Sequence, residues 1–202
     1  MKIIFILSIS LMQLFSAALE HVTLNNYDFS IVKEKYDVYD SKGEVFKLYK
    51  EEQNRNLSFV LRFTLSDHTG GCAEKAMTEG SYEVSSDGNI TFYSMWTRQG
   101  KAYLAPYGAR VQTYKVSDAG KLELVEGKIY LEETKKNHDN DSGMEYLSHT
   151  PKSKEEKEKL QSYVTDIEEK YKATFVFGEE SKNLIKEVKK ALKRKMKATW
   201  RR

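Results

Sequence analysis

The chain is poor in the residues that build covalent or metal-bound scaffolds. It has one cysteine, Cys72, in 202 residues. A single thiol cannot form an intrachain disulfide, and it excludes a Cys-rich zinc or iron–sulfur site as well. Proline (two) and glycine (11) are too sparse for a collagen-like or low-complexity chain. Apart from one stretch near the N-terminus there is no long apolar run, so a multi-span membrane protein is excluded too. Neither sign of charge dominates, with 33 Lys and Arg against 30 Asp and Glu and a formal net charge of +3. What is present is aromatic: 13 Tyr, 9 Phe and 2 Trp, in a chain that is 40% hydrophobic. That composition supplies a core and argues against wholesale disorder. The length fits one domain, or at most two small ones, at about 100–200 residues per domain.

The one apolar run, Ile3 to Phe15, follows Lys2 and is followed by Ser16-Ala17-Ala18. A basic start, an uncharged apolar centre and small residues before a cut after Ala18 form the secretory signal pattern. Thirteen residues are too few for a spanning helix, which needs about 20. The expected mature chain is therefore Leu19–Arg202, soluble in the periplasm or secreted. No cysteine lies near the cut, which argues against a lipid anchor. Three glycan acceptor patterns, at Asn56, Asn89 and Asn140, are short enough to be chance.

From about Tyr36 to Glu133 the chain reads as short strands joined by polar turns. Leu57, Phe59, Leu61, Phe63 and Leu65 alternate with smaller or polar residues, predicting a strand with one apolar face. Asp87-Gly88 predicts a hairpin turn, Ser117-Asp118-Ala119-Gly120 another, and Ser41-Lys42-Gly43 a third. Gly127 reads as a bulge. In the strand after Asp87-Gly88, Ile90, Phe92 and Trp96 share one face while Thr91, Tyr93 and Met95 share the other. Large groups on both faces predict a strand covered on both sides or lining a cavity. Six to eight antiparallel strands in sequential hairpins predict a meander, curved or closed into a small barrel.

Two helices are predicted behind it. Thr150-Pro151 suits a helix start, with Ser153-Lys154-Glu155-Glu156 as an alternative capping box. Leu160, Val164, Ile167 and Tyr171 then recur at helical spacing, and Ala173–Phe177 reads as a short edge strand. In the last helix, from about Glu179 to Trp200, Leu184, Val188, Leu192, Met196 and Trp200 form an apolar stripe joined by Ile185. The other half of its circumference carries Lys186, Lys189, Lys190, Lys193, Arg194, Lys197 and Arg201. Residues 181–202 contain ten bases and one acid, Glu187, a formal +9. The whole chain is +3 and Lys2 leaves with the signal, so residues 19–180 carry −7. The near-neutral total conceals an acidic body with a basic amphipathic helix.

The fold class expected is α+β: an antiparallel β-meander forming a curved sheet or small barrel, packed by two C-terminal helices. The divisions are a signal at 1–18, a β-rich domain at 19–135, a polar linker at 136–150 and a helical region at 151–202. The basic helix suits an anionic membrane surface or an acidic protein partner, or else braces the sheet with its lysines solvated. Nucleic-acid binding is disfavoured in an exported chain without a binding motif. A small-molecule pocket would draw on Tyr93, Trp96 and Tyr107, with Arg98 and Arg110 to anchor an anionic group. Asp67-His68-Thr69-Gly70-Gly71-Cys72 is the one segment resembling catalytic chemistry, through a thiol near an imidazole. It names no third, orienting residue. His68, Cys72, His138 and His149 match no compact metal-ligand spacing, and the 137–143 loop fails the EF-hand pattern, so no metal or cofactor is expected. The reading that follows is a non-catalytic binding or interaction protein of the cell envelope. Its alternatives are a lipocalin-like carrier of a small apolar ligand and a thiol-dependent enzyme using Cys72 and His68.

Overall fold

The computed structural model describes residues 19–39, 41–54, 56–69, 75–99, 104–132, 134–137, 145–148 and 153–199. Eight strands follow one another in sequence: β1 (Leu19–Leu24), β2 (Tyr27–Val38), β3 (Ser41–Glu51), β4 (Leu57–Thr69), β5 (Lys75–Val84), β6 (Asn89–Gln99), β7 (Leu104–Val116) and β8 (Leu122–Leu131). Each pairs antiparallel with the next. After a two-stranded ribbon of β9 (Thr134–Asn137) and β10 (Glu145–Ser148) come helices α1 (Lys154–Lys159) and α2 (Gln161–Tyr171). Strand β11 (Thr174–Phe175) then adds to β8 in parallel, and helix α3 (Gly178–Thr199) closes the described chain. The main sheet thus has nine strands, with β1 and β11 at its edges. Of the two expected forms, the curved sheet is adopted and the closed barrel is not.

Turn chemistry sets the meander. Gly88 and Gly120 take φ of +78° and +71° at the β5–β6 and β7–β8 turns, a region that favours glycine. The β1–β2 hairpin uses Asn25 and Asn26 at φ of +46° and +63°, the left-handed pair that two-residue hairpins require. Both flanking strands begin before Tyr36, the start of the strand pattern read from sequence, and the Asn-Asn pair is the signal that announces them. The turn expected at Ser41–Gly43 lies earlier, where Tyr39 takes φ of +32°, and Ser41 already pairs in β3.

The sheet curls until its first strands meet its middle. Asn25 Nδ2 donates to the Val116 carbonyl at 3.0 Å, and the Tyr27 hydroxyl to the Asp118 carbonyl at 2.7 Å. The interior so enclosed is filled by Phe29, Ile31, Phe46, Leu48, Phe63 and Phe92. Phe92 has Phe63 at 4.6 Å, Phe46 at 5.2 Å and Tyr114 at 5.9 Å between ring centres. Such tilted and edge-on pairs add to what burial alone contributes.

Four register shifts interrupt the ladders among the described residues, and two of them bear on features read from the sequence. Tyr49 pairs with Phe59 while Leu48 pairs with Leu61, leaving Val60 unpaired in the ladder. One extra residue flips the side-chain alternation. Phe63 and Leu65 are therefore buried, whereas Leu57 and Phe59 are exposed, although strict alternation puts all four on one face. In β8 the skipped residue is Val125, between Leu124 and Glu126. The bulge expected at Gly127 thus sits two residues earlier. Gly127 itself lies under the chain at 172–173: a Cβ there would stand 2.6 Å from the Lys172 carbonyl oxygen.

The first predicted helix is two. Ser153 caps α1, accepting from the Glu156 N–H at 3.2 Å as the capping-box pattern anticipates. The helix breaks at Leu160, whose φ of −101° and ψ of 24° leave helical geometry, and α2 then buries Val164 and Ile167. Lys172 ends α2 in the left-handed conformation, turning the chain into β11. Val164, Ile167, Ala173 and Phe175 pack on Ile129 of β8. Helix α3 covers the other face of the sheet: Leu184, Val188, Ala191 and Leu192 are buried against Tyr93, Met95 and Ala109. Strand β6 is accordingly covered on both sides, Phe92 from the curl and Tyr93 from the helix. Strand β10 falls within the stretch read as a polar linker, and β9 straddles its start.

Candidate functional site

Two places in the fold gather uncompensated positive charge. The first is the outer face of α3. Because its apolar stripe is docked on the sheet, its polar half faces solvent. Some of its cations serve the fold. Lys182 pairs with Glu179 at 3.2 Å, Arg194 pairs with Glu83 at 3.1 Å, and Lys195 Nζ donates to the Gly80 carbonyl at 2.9 Å. Lys186, Lys189, Lys190 and Lys193 are exposed and have no acidic partner among the described residues. These four and Arg194 line an open groove of about 500 Å³. Lys197 lies within α3, but its side chain is outside the described residues, as is Arg201.

The second is a cleft of about 190 Å³ between β7 and the end of α2. Strand β7 aims Arg110, Gln112 and Tyr114 to one side, and Phe63, Phe92 and Tyr171 complete much of the wall. Arg110 is half-buried, its guanidinium carbon 5.5 Å from the Tyr171 ring centre, 5.8 Å from Trp96 and 5.9 Å from Phe63. Aromatic faces attract the cation but accept no ordinary hydrogen bond. Its buried Nε has no hydrogen-bond partner, and no described carboxylate pairs with the group. Burial pushes the guanidinium below its ordinary pKa, with nearby Tyr114 and Tyr171 opposing the shift.

The five pocket residues predicted from sequence are divided by this geometry. Trp96 and Arg110 come together. Arg98 lies over the Tyr107 ring at 4.7 Å. Burial raises the Tyr107 phenol, which Arg98 lowers and Tyr171 raises, so this pair also neighbours Tyr171. Tyr93 is on the opposite face, under α3, its hydroxyl donating to Glu83 at 3.3 Å. Burial, then the charges of Glu83 and Glu187, push its phenol up to about 12. Tyr93 thus belongs to a Tyr93–Glu83–Arg194 link between sheet and helix. The contributors that sequence reasoning missed are Tyr171, Gln112 and Phe63. Tyr171 was visible as the last member of a helical stripe, but nothing local said that the stripe would end over Arg110.

His68 is exposed on β4, whereas Cys72, His138 and His149 lie outside the described residues. Among the described residues no three His, Cys, Asp or Glu side chains gather as a metal site. Comparison with protein-family models, curated proteins and solved structures finds no match to this chain.

Proposed function

We propose that the protein is an exported, non-catalytic binding protein of the cell envelope, which holds an anionic surface through the basic face of α3. The observation that carries this reading is the docked helix. Its apolar side is occupied by the sheet, and four lysines without acidic partners among the described residues are presented together on a rigid element. A docked helix adsorbs by Coulomb attraction rather than by inserting its apolar face, which distinguishes this mode from that of a free amphipathic helix. Export rests on the basic start, apolar centre and small residues of positions 1–18 in the sequence. Among the described residues no helix is long and apolar enough to cross a membrane. The carrier alternative gains less support. The curl interior is filled by phenylalanine side chains, and the cleft beside Arg110 is smaller than the ~300–1,000 Å³ of most ligand pockets.

The test is binding of the mature chain to phosphatidylglycerol-containing vesicles. Point variants are required, because removing α3 would expose Tyr93 and Met95. Each lysine near such a surface contributes about 1 kcal/mol. Replacing Lys186, Lys189, Lys190 and Lys193 by Ala should weaken binding on the order of several hundredfold, and high salt should abolish it in the parent. Equal binding by parent and quadruple variant, or equal binding to neutral phosphatidylcholine vesicles, refutes the proposal.

A further inference from the structure

The Arg110 cleft is separate from the α3 surface and lies on the other face of the sheet. Four observations converge on it. First, the guanidinium is enclosed by three aromatic rings, with a buried N–H that no atom of the described residues accepts. Leaving such a donor unsatisfied costs about 1–3 kcal/mol, and folded chains keep few of them. Second, the backbone carbonyls of Tyr171 and Lys172, two residues of the cleft lining, already accept from Gln112 Nε2, at 2.9 Å and 3.5 Å. Third, the lining of the cleft includes Lys170 and Lys172 as well as Arg110, and no Asp or Glu among the described residues. Fourth, about 190 Å³ admits a compact anion but not a drug-sized molecule.

We propose that this cleft is a binding site for a phosphate-class oxyanion, with Arg110 as its anchor and Lys170 and Lys172 as supporting charges. A planar guanidinium whose neighbours are rings keeps its in-plane N–H groups for a forked interaction with two oxygens, which suits phosphate geometry. Several cations with no acid favour a doubly charged anion over a monocarboxylate. The bound group is inorganic phosphate, a soluble phosphate monoester or the exposed phosphate of a lipid. The chemistry recognised is the same in each.

The mature chain is titrated with inorganic phosphate at constant ionic strength, with acetate in parallel, and followed by calorimetry and by NMR of the arginine Nε–H resonances. The expected results are saturable phosphate binding, at least tenfold weaker acetate binding, and a shift of the Arg110 Nε–H signal on phosphate addition. The Arg110→Gln variant should lose phosphate affinity at least tenfold, whereas the quadruple lysine variant of α3 keeps it. The NMR arm needs no substitution, so the test survives even if Arg110→Gln fails to fold. No saturable binding, an unmoved Arg110 signal, or full phosphate affinity in a folded Arg110→Gln variant overturns the proposal. Vesicles containing phosphatidic acid separate the sources. Weaker vesicle binding by Arg110→Gln assigns the site to a lipid headgroup, and unchanged vesicle binding with lost phosphate binding assigns it to a soluble ligand. Because the α3 lysines are absent from this cleft, failure of the surface-binding proposal leaves this one standing, and the converse holds.

Discussion

Whether the last helix is a brace or a free basic arm is decided by one pair of substitutions. Leu184 is 3% exposed and packs in the cluster formed by Tyr93, Met95, Ala109 and Val188. Truncating it to Ala removes three buried carbons and leaves a cavity between a helix and a sheet that collapse only partly. Leu-to-Ala changes at such sites cost about 2–5 kcal/mol, and about 3 kcal/mol is expected for this one. At roughly 2–4 °C per kcal/mol for a chain of this size, Tm should fall by about 6–12 °C. Lys190, six residues on and exposed, has no acidic partner among the described residues. Its change to Ala should move stability by no more than about 0.5 kcal/mol. Urea unfolding of the mature chain with both variants measures the contrast directly, since an unchanged slope attributes any midpoint shift to stability. If Leu184→Ala costs less than about 1 kcal/mol and matches Lys190→Ala, the helix does not rest on the sheet in solution. The docked geometry, and the proposal that only its basic face is available, would then both be wrong.

Other outcomes follow from the same structure. Gly108→Ala places a Cβ 2.7 Å from the Trp96 ring and 3.1 Å from the Tyr130 carbonyl oxygen, and should destabilise by about 1–3 kcal/mol in the same urea assay. Tyr93, held protonated up to about 12 by burial and by Glu83 and Glu187, should be among the last phenols to ionise in a tyrosinate absorbance titration. Tyr93→Phe should delete that late step, and its persistence would place Tyr93 elsewhere. Because its folded value is raised, the stabilisation it provides is complete below about pH 10 and is lost as pH climbs toward about 12. Asp67 behaves oppositely. Burial alone would raise its carboxyl, but hydrogen bonds from Ser41, Tyr36 and Thr69 outweigh it and hold the group below its ordinary value. Its contribution is therefore present above the unfolded carboxyl value and lost as pH falls through the folded one. The stability gap between parent and Asp67→Asn should narrow on acidification, and a gap independent of pH would contradict this. Mass measurement of the exported chain should find Leu19 as its first residue.

Much of the sheet was legible because its signals are local. Asp87-Gly88 and Ser117–Gly120 place glycine where the turn needs positive φ, and the neighbouring strands follow from alternation. The apolar stripes of α2 and α3 were equally plain, as was the edge strand after α2. The bulge at Val60 was not legible. Alternation in β4 is unbroken in sequence, and only the pairing with β3 shows that Leu57 and Phe59 have changed faces. The split at Leu160 was hidden for a similar reason, since Leu160 fits the helical period at which the chain breaks. Of the candidate pocket, Arg110 and Trp96 could be named but not joined, and Tyr93 was grouped with them although its neighbour in sequence, Phe92, faces the other way.

The sequence alone determined most of the elements, their order and the division of charge. Each of these depends on residues within a turn or two of one another: a turn residue, a period, a run of lysines. Tertiary structure alone decided what those elements do to one another. It placed the apolar half of α3 on the sheet, turning a would-be membrane helix into a brace with a basic outer face. It also carried Tyr171 across to Arg110, sixty-one positions away in the chain, and so built a ring-walled cleft around a cation that has no acid beside it among the described residues. Burial and the compensation of charge depend on neighbours distant in sequence, and no local pattern encodes them.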